Sequence, residues 1–210
     1  MDYEAINPGD LGRLEIYKLL TGCVVPRPIA WVTTRSPEGL VNAAPFSAFM
    51  IAAVAPPTLV FNCNRHVAAD GTPGELKDTA RNIHSTGEFV INIARMAQLD
   101  QLHGSADMLP AETSETSLYD VKLAPGAVVS VPRIAEAPAS FECVVSEIKP
   151  VGLERTELIF GEVKHIWVRK DLLSGGRVDQ AALDPISRLG GPTYAGIGEM
   201  IRMTKGFGTT

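Results

Sequence analysis

The sequence predicts a mainly β fold: an antiparallel split β-barrel of about six strands with peripheral helices. Three observations lead there. Short β-rich segments are separated by turn signatures, most connections between them are hairpin-sized, and few helical periodicities intervene. Closing such a sheet also removes the unpaired edges it would otherwise expose.

In chain order, Leu11 to Leu20 places Leu11, Leu14, Leu19 and Leu20 at helical spacing, with Ile16 and Tyr17 on the flanks. Pro26 and Pro28 end the helical option, and Ile29 to Thr34 is β-rich. Ser36-Pro37-Glu38-Gly39 is a turn, and Leu40 to Ile51 reads as the returning strand of a hairpin. Pro56-Pro57 opens a strand over Thr58 to Cys63, followed by a small, polar loop from Asn64 to Gly71. Thr72-Pro73-Gly74-Glu75 has capping-box form and predicts a helix to about Ser85, stopped by Gly87. A second register starts the same helix at Asp78 as cap.

Glu88 to Ile93 is a strand, and Ala94 to Gly104 is helical, with Met96, Leu99 and Leu102 in step. Ser105 to Pro132 is irregular and long, a length that compact proteins use for lids or subunit contacts. Two long strands close the pattern, Ala139 to Pro150 and Glu157 to Val168, with Gly152-Leu153-Glu154-Arg155 as their turn.

The 210 residues contain no repeat or low-complexity linker and are expected to form one domain, 1–210. A net charge of −5 without any Lys/Arg cluster excludes a nucleic-acid groove and an anionic membrane surface as partners. Cys23, Cys63 and Cys143 lie far apart and form no CxxC pair, which suits reduced thiols and a cytoplasmic setting. No apolar run approaches the ~20 residues of a membrane helix. GxSxG, HExxH, P-loop and paired-cysteine signatures are absent, and the four histidines show no metal-ligand spacing, so no metal is expected.

Five segments remain: Arg27-Pro28-Ile29-Ala30-Trp31-Val32-Thr33-Thr34, Asn42-Ala43-Ala44-Pro45-Phe46-Ser47-Ala48-Phe49, Ala55 to Phe61, Lys77-Asp78-Thr79-Ala80-Arg81-Asn82, and Asp184 to Tyr194. In these segments and this order, the chain resembles the flavin reductase-like family, FMN-binding split barrels related to the pyridoxamine-phosphate oxidase barrel. The resemblance implies a homodimer with FMN at the subunit interface. It also implies NADH or NADPH as reductant, hydride passing to flavin N5, and a monooxygenase or another acceptor downstream. A non-enzymatic FMN electron carrier of the flavoredoxin type needs the same pocket, and a barrel that has lost flavin is a third possibility.

A flavin pocket needs donors near N1 and O2, hydroxyl or backbone partners at the ring edge, an apolar wall and cations at the phosphate. By the family pattern, Arg27, Ala30, Trp31, Val32 and Thr33 contact the cofactor, although Trp31 equally suits a core. Asn42, Ala43 and Ala44 let backbone approach the ring, and Phe46 and Ser47 continue that wall; a bulge on an edge strand is the alternative. Lys77, Asp78, Thr79 and Asn82 mark the phosphate-binding helix start, with Arg65 as a second clamp. Arg188 and Tyr194 are expected to cover the partner subunit's ring, unless Gly190-Gly191-Pro192 is only a turn. His165 is a candidate proton source or a surface residue.

Overall fold

The computed structural model describes residues 1–68, 72–110 and 112–203. Residues 69–71 of the predicted Asn64–Gly71 loop, and residue 111 of the long irregular stretch, lie outside the described residues.

A single 3-10 turn, Pro8–Asp10, precedes helix α1, Arg13–Cys23. The Glu15 carboxylate accepts from the Gly12 N–H at 2.8 Å and so supports the first turn. The helix starts and ends a little later than its leucine spacing suggests, and it buries none of its residues. Leu14, Tyr17 and Leu20 are all more than half exposed.

β1 (Arg27–Pro28) leads into β2 (Ala30–Arg35), and β3 (Val41–Phe46) returns antiparallel to β2. Gly39, at φ 95°, makes the turn between them. The returning strand expected over Leu40 to Ile51 is in fact two strands. The pairing of β2 with β3 ends at Ala30, opposite Phe46. The chain turns at Ser47 and Ala48, and β4 (Phe49–Val54) pairs instead with β5 (Pro57–Cys63).

Helix α2 (Asp78–Thr86) begins later than the Thr72 capping box suggests. Residues 72–75 are held as an extended arm against 66–68: Gly74 N–H donates to the His66 carbonyl at 2.7 Å, and His66 N–H to the Glu75 carbonyl at 3.0 Å. That backbone pairing competes with helix and wins. In the other predicted register Asp78 was the cap; the observed cap is Lys77, one residue earlier. Gly87, left-handed at φ 70°, ends the helix as the sequence indicates.

β6 (Glu88–Ile93) falls where predicted, and a 3-10 turn runs into α3 (Leu99–Gly104). The long irregular stretch holds α4 (Glu115–Leu118) and a small ladder of β7 (Leu123–Ala124) with β8 (Arg133–Ile134). β9 (Ala139–Val151) and β10 (Thr156–Val168) form the predicted long hairpin. A minor hairpin of β11 (Leu173–Ser174) and β12 (Arg177–Val178), helix α5 (Gln180–Leu183), β13 (Ser187–Arg188) and β14 (Tyr194–Ala195) complete the chain.

The main sheet has seven strands in the order β3-β2-β6-β9-β10-β5-β4. Among the described residues no ladder joins β3 to β4, yet the two ends of the sheet curl together: Phe46 and Phe61 pack with ring centroids 4.9 Å apart. This is the predicted split barrel, with seven strands rather than about six. β13 sits between β1 and β14 in a separate three-stranded sheet beside the split.

Both faces of β2 are covered, as the period of two requires when two cores flank one strand. Ala30 and Val32 enter the barrel core with Phe61, Phe89, Ile91 and Ile159. Trp31 enters a second core with Leu102, Ile134 and Ile186. At Gly161, on β10, an added Cβ would lie 2.3 Å from Phe89 Cζ, so the barrel wall tolerates no side chain there. Glu142, fully buried on β9, accepts from the backbone N–H groups of Ala127 (2.7 Å), Val128 (2.7 Å) and Val129 (3.1 Å) and from Trp167 Nε1 (2.6 Å).

Candidate functional site

Where the barrel splits, a cavity of about 380 Å³ opens between the end of β3, the start of α2, α1, the loop after α3 and the small sheet of β1, β13 and β14. Its volume suits a small organic ligand or cofactor, whose sites span roughly 300–1,000 Å³.

At one end stand Lys77, Asp78, Thr79 and Arg81, in the first turn of α2. Arg81 is ion-paired with Asp78 on the same helix face. Among the described residues Lys77 has no ion-pair partner. An unpaired ammonium beside a helix N-terminus, where backbone N–H groups carry partial positive charge, favours an anion. His66, from the arm facing residues 72–75, lines the same end.

Beneath this end lies a polar network. With its amide oriented to satisfy its neighbours, Asn42 donates to Glu115 Oε1 at 3.1 Å and accepts from Thr79 Oγ1 at 3.0 Å. Glu115 Oε2 accepts from the Ala43 N–H at 3.1 Å. Burial holds the Glu115 carboxyl above the usual carboxylate range; its backbone hydrogen bonds oppose this and nearby Asp78 reinforces it. Strand β3, helix α2 and helix α4 therefore meet in one hydrogen-bonded floor.

The middle wall is apolar or backbone: Ile29, Ala44, Pro45 and Phe46, with Ser47 at the corner. The opposite wall is Ser105 to Leu109 from the loop after α3. Ser105 is buried there and accepts from Trp31 Nε1 at 2.9 Å. At the far end stand Tyr17, Arg27, Arg188 and Tyr194.

Of the residues that the sequence singles out, Arg27, Asn42, Ala44, Phe46, Ser47, Lys77, Asp78, Thr79, Arg188 and Tyr194 are brought together around this cavity. Ala30, Trp31, Val32 and Thr33 are fully buried behind it, because β2 feeds two cores and has no open face, and Ala43 of β3 is fully buried as well. Thr33 donates to the Pro132 carbonyl at 2.7 Å. Asn82 is turned away and donates to Thr34 Oγ1 at 3.1 Å.

Arg65 does not line the cavity. It pairs with the buried Glu157 at 2.9 Å, which also holds His84 at 2.9 Å. His165 lies on β10 with its ring against Trp167, centroids 5.0 Å apart, and does not reach the cavity either. The sequence reading missed His66, Tyr17, Glu115 and the 105–109 wall. Only the unusual length of the 105–132 stretch pointed toward the last two.

A second hollow, of about 540 Å³, lies on the other side of Asn42 and Asp78. It carries Glu38, Asp78 and Glu112 against Arg81 alone, a charge balance unsuited to a phosphate.

Residues 21–182 match the model of the flavin reductase like domain. The chain is 40% identical over 204 residues to the protein BH2278 of Halalkalibacterium halodurans, covering 95% of each. The crystal structure of nitrilotriacetate monooxygenase component B from Bacillus cereus is similar over 97% of this chain and 100% of that one, with a TM-score of 0.91 and 36% identity. The 2-nitrobenzoate 2-nitroreductase NbaA of Pseudomonas fluorescens is similar over 97% and 96% respectively, with a TM-score of 0.86 and 31% identity.

Proposed function

Because the chain belongs to the flavin reductase-like domain family, we propose that its cavity holds FMN and that the protein is an NADH- or NADPH-dependent flavin reductase. The single observation that carries the reading is Lys77, without an ion-pair partner among the described residues, at the N-terminus of α2 and at one end of a cavity walled by Ile29, Pro45 and Phe46.

The residues present fit the group. Lys77 and the first N–H groups of α2 would hold the phosphate, above the Thr79 hydroxyl that is committed to Asn42. Ile29, Pro45 and Phe46 offer an apolar wall for a flat ring, and the exposed backbone around Ala44 offers edge partners. When bound, FMN supplies the redox chemistry, taking up and releasing reducing equivalents. The chain binds, orients and keeps the site dry; for this reason no nucleophile or acid–base pair is needed in the wall.

The apolar surface outside the cavity supports a homodimer. Met50, Ile51 and Val54 of edge strand β4 are 61%, 72% and 87% exposed, and Leu14 and Leu20 of α1 add to the apolar surface. A long apolar edge strand left in water is an aggregation hazard, and covering it with a second copy removes the hazard. The named relative that is a monooxygenase component supports a downstream acceptor of that kind, a partner monooxygenase.

Anaerobic addition of NADH or NADPH to the FMN-loaded protein tests the reading. Rapid loss of the flavin's visible absorbance is expected. Bound FMN that stays oxidised would instead assign the protein as an electron carrier reduced by some other donor.

A further inference from the structure

Arg27 and Arg188 are direct partners in the β1–β13 ladder, and both line the cavity at the end away from Lys77. Like charges opposite each other across a ladder are destabilising unless something neutralises them. Among the described residues neither arginine has a carboxylate partner. The cavity's own carboxylates are engaged elsewhere. Asp78 is paired with Arg81, Asp107 accepts from the Tyr119 hydroxyl, and Glu115 accepts from Ala43 and Asn42.

The two guanidinium groups are fixed differently. Arg27 spends its donors on main-chain carbonyls: Nη1 on Thr21 (2.7 Å) and Val24 (2.6 Å), and Nη2 on Leu189 (2.7 Å). Its charge stays in place with no carboxylate paired to it among the described residues. Arg188 donates from Nε to the Gly191 carbonyl at 2.8 Å and from Nη1 to the Tyr194 hydroxyl. Among the described residues its Nη2 makes no hydrogen bond, so one arm of the fork remains open.

Tyr194 lies under this fork, with the guanidinium carbon 4.6 Å from its ring centroid, and its hydroxyl meets His103 Nδ1 at 2.9 Å. The ring is thus locked from both sides.

We propose that Arg188, with Arg27 behind it and Tyr194 as platform, is the recognition site for the carboxylate of an aromatic acid that enters the cavity as substrate. The proposal rests on the flavin reading, since it places this substrate in the same cavity. A carboxylate can take the open Nη2 arm beside two positive charges that no carboxylate among the described residues neutralises, and an aromatic ring suits the Tyr194 side chain that lines the same end of the cavity. The pyrophosphate of a nicotinamide nucleotide is the other source of negative charge that could enter here.

The test uses the full-length, FMN-loaded protein, titrated calorimetrically with benzoate and, separately, with benzamide. Benzoate is expected to bind at least about tenfold more tightly, and Arg188→Gln to remove most of that preference. Arg188→Lys, which keeps the charge but not the fork, is expected to fall between. Equal binding of benzoate and benzamide overturns the proposal, and this comparison needs no variant to fold. Arg188→Gln that leaves benzoate affinity intact while raising the KM for NADH assigns the arginine to the nucleotide and also overturns it. Parallel loss of FMN uptake in the variant does the same, because the arginine would then serve the flavin. The same titrations on FMN-free protein separate failure of the arginine site from failure of flavin binding.

Discussion

Asn42 on β3 and Thr79 in the first turn of α2 are joined by a hydrogen bond of 3.0 Å beneath the cationic end of the cavity. The bond ties the last full strand before the split to the helix that presents Lys77. Thr79→Val keeps the shape and removes the hydroxyl, leaving a buried amide oxygen short of a donor. A stability loss of about 1–2 kcal/mol is expected in urea unfolding, together with weaker FMN binding. An unchanged midpoint would show that the bond does not contribute to the floor.

Lys77 and Arg65 should separate cleanly. Lys77→Ala is expected to raise the FMN dissociation constant about tenfold or more, through loss of one charge-assisted contact, with little effect on folding. Arg65→Ala is expected to do the reverse. It strands part of the charge on Glu157, which is 2% exposed, and removal of one member of a buried pair costs about 3 kcal/mol. Fluorescence quenching of FMN and urea denaturation, run on both variants, check the pairing.

Glu142 anchors the 127–129 segment to the barrel wall. Burial works to raise its pKa, but hydrogen bonds from Trp167, Ala127, Val128 and Val129 prevail and hold it below the usual carboxylate range. Its stabilising contribution is therefore present above the pKa of an unfolded glutamate and is lost as pH falls through the lower folded value. Glu142→Gln turns an amide donor toward N–H groups and is expected to cost about 2 kcal/mol at neutral pH. The gap from wild type should narrow in acid.

Glu115 has the opposite sign. Its raised pKa means that the folded protein keeps this proton to higher pH than the unfolded chain. Its contribution to stability accordingly declines as pH rises from the ordinary carboxylate range through the folded value. Melting temperatures of wild type and Glu115→Gln, compared across pH, should shift in favour of the glutamine as pH increases. A difference that does not vary with pH would contradict the assignment.

The apolar edge offers a test of assembly. Ile51→Glu places a charge in the middle of the exposed β4 face and is expected to convert a dimer to monomer in sedimentation velocity. A wild-type protein that sediments as a monomer at micromolar concentration would remove the homodimer from the account.

Much of the fold could be read from local pattern alone. β6 and the β9–β10 hairpin lie where their apolar runs and turn residues place them, and Gly152, at φ 70°, is the turn glycine expected. What escaped was decided at long range. Thr72 to Glu75 carries a helix-start signature, yet its backbone is already bonded to residues 66 and 68. β2 looks like a wall with one free face until Leu102, Ile134 and Ile186 are seen to cover Trp31. The site divides the same way. Lys77, Thr79 and Asn42 stand in short motifs, whereas Glu115 and Ser105 reach the cavity only because a long loop folds back on β3 and β2.

The most direct test of the central claim is a titration of the flavin-free protein with FMN, followed by quenching of the flavin's fluorescence. Saturable binding of one FMN per chain, weakened about tenfold or more by Lys77→Ala, is predicted. A wild-type protein that leaves FMN fluorescence unchanged, or a Lys77→Ala variant that binds as tightly as wild type, would contradict it.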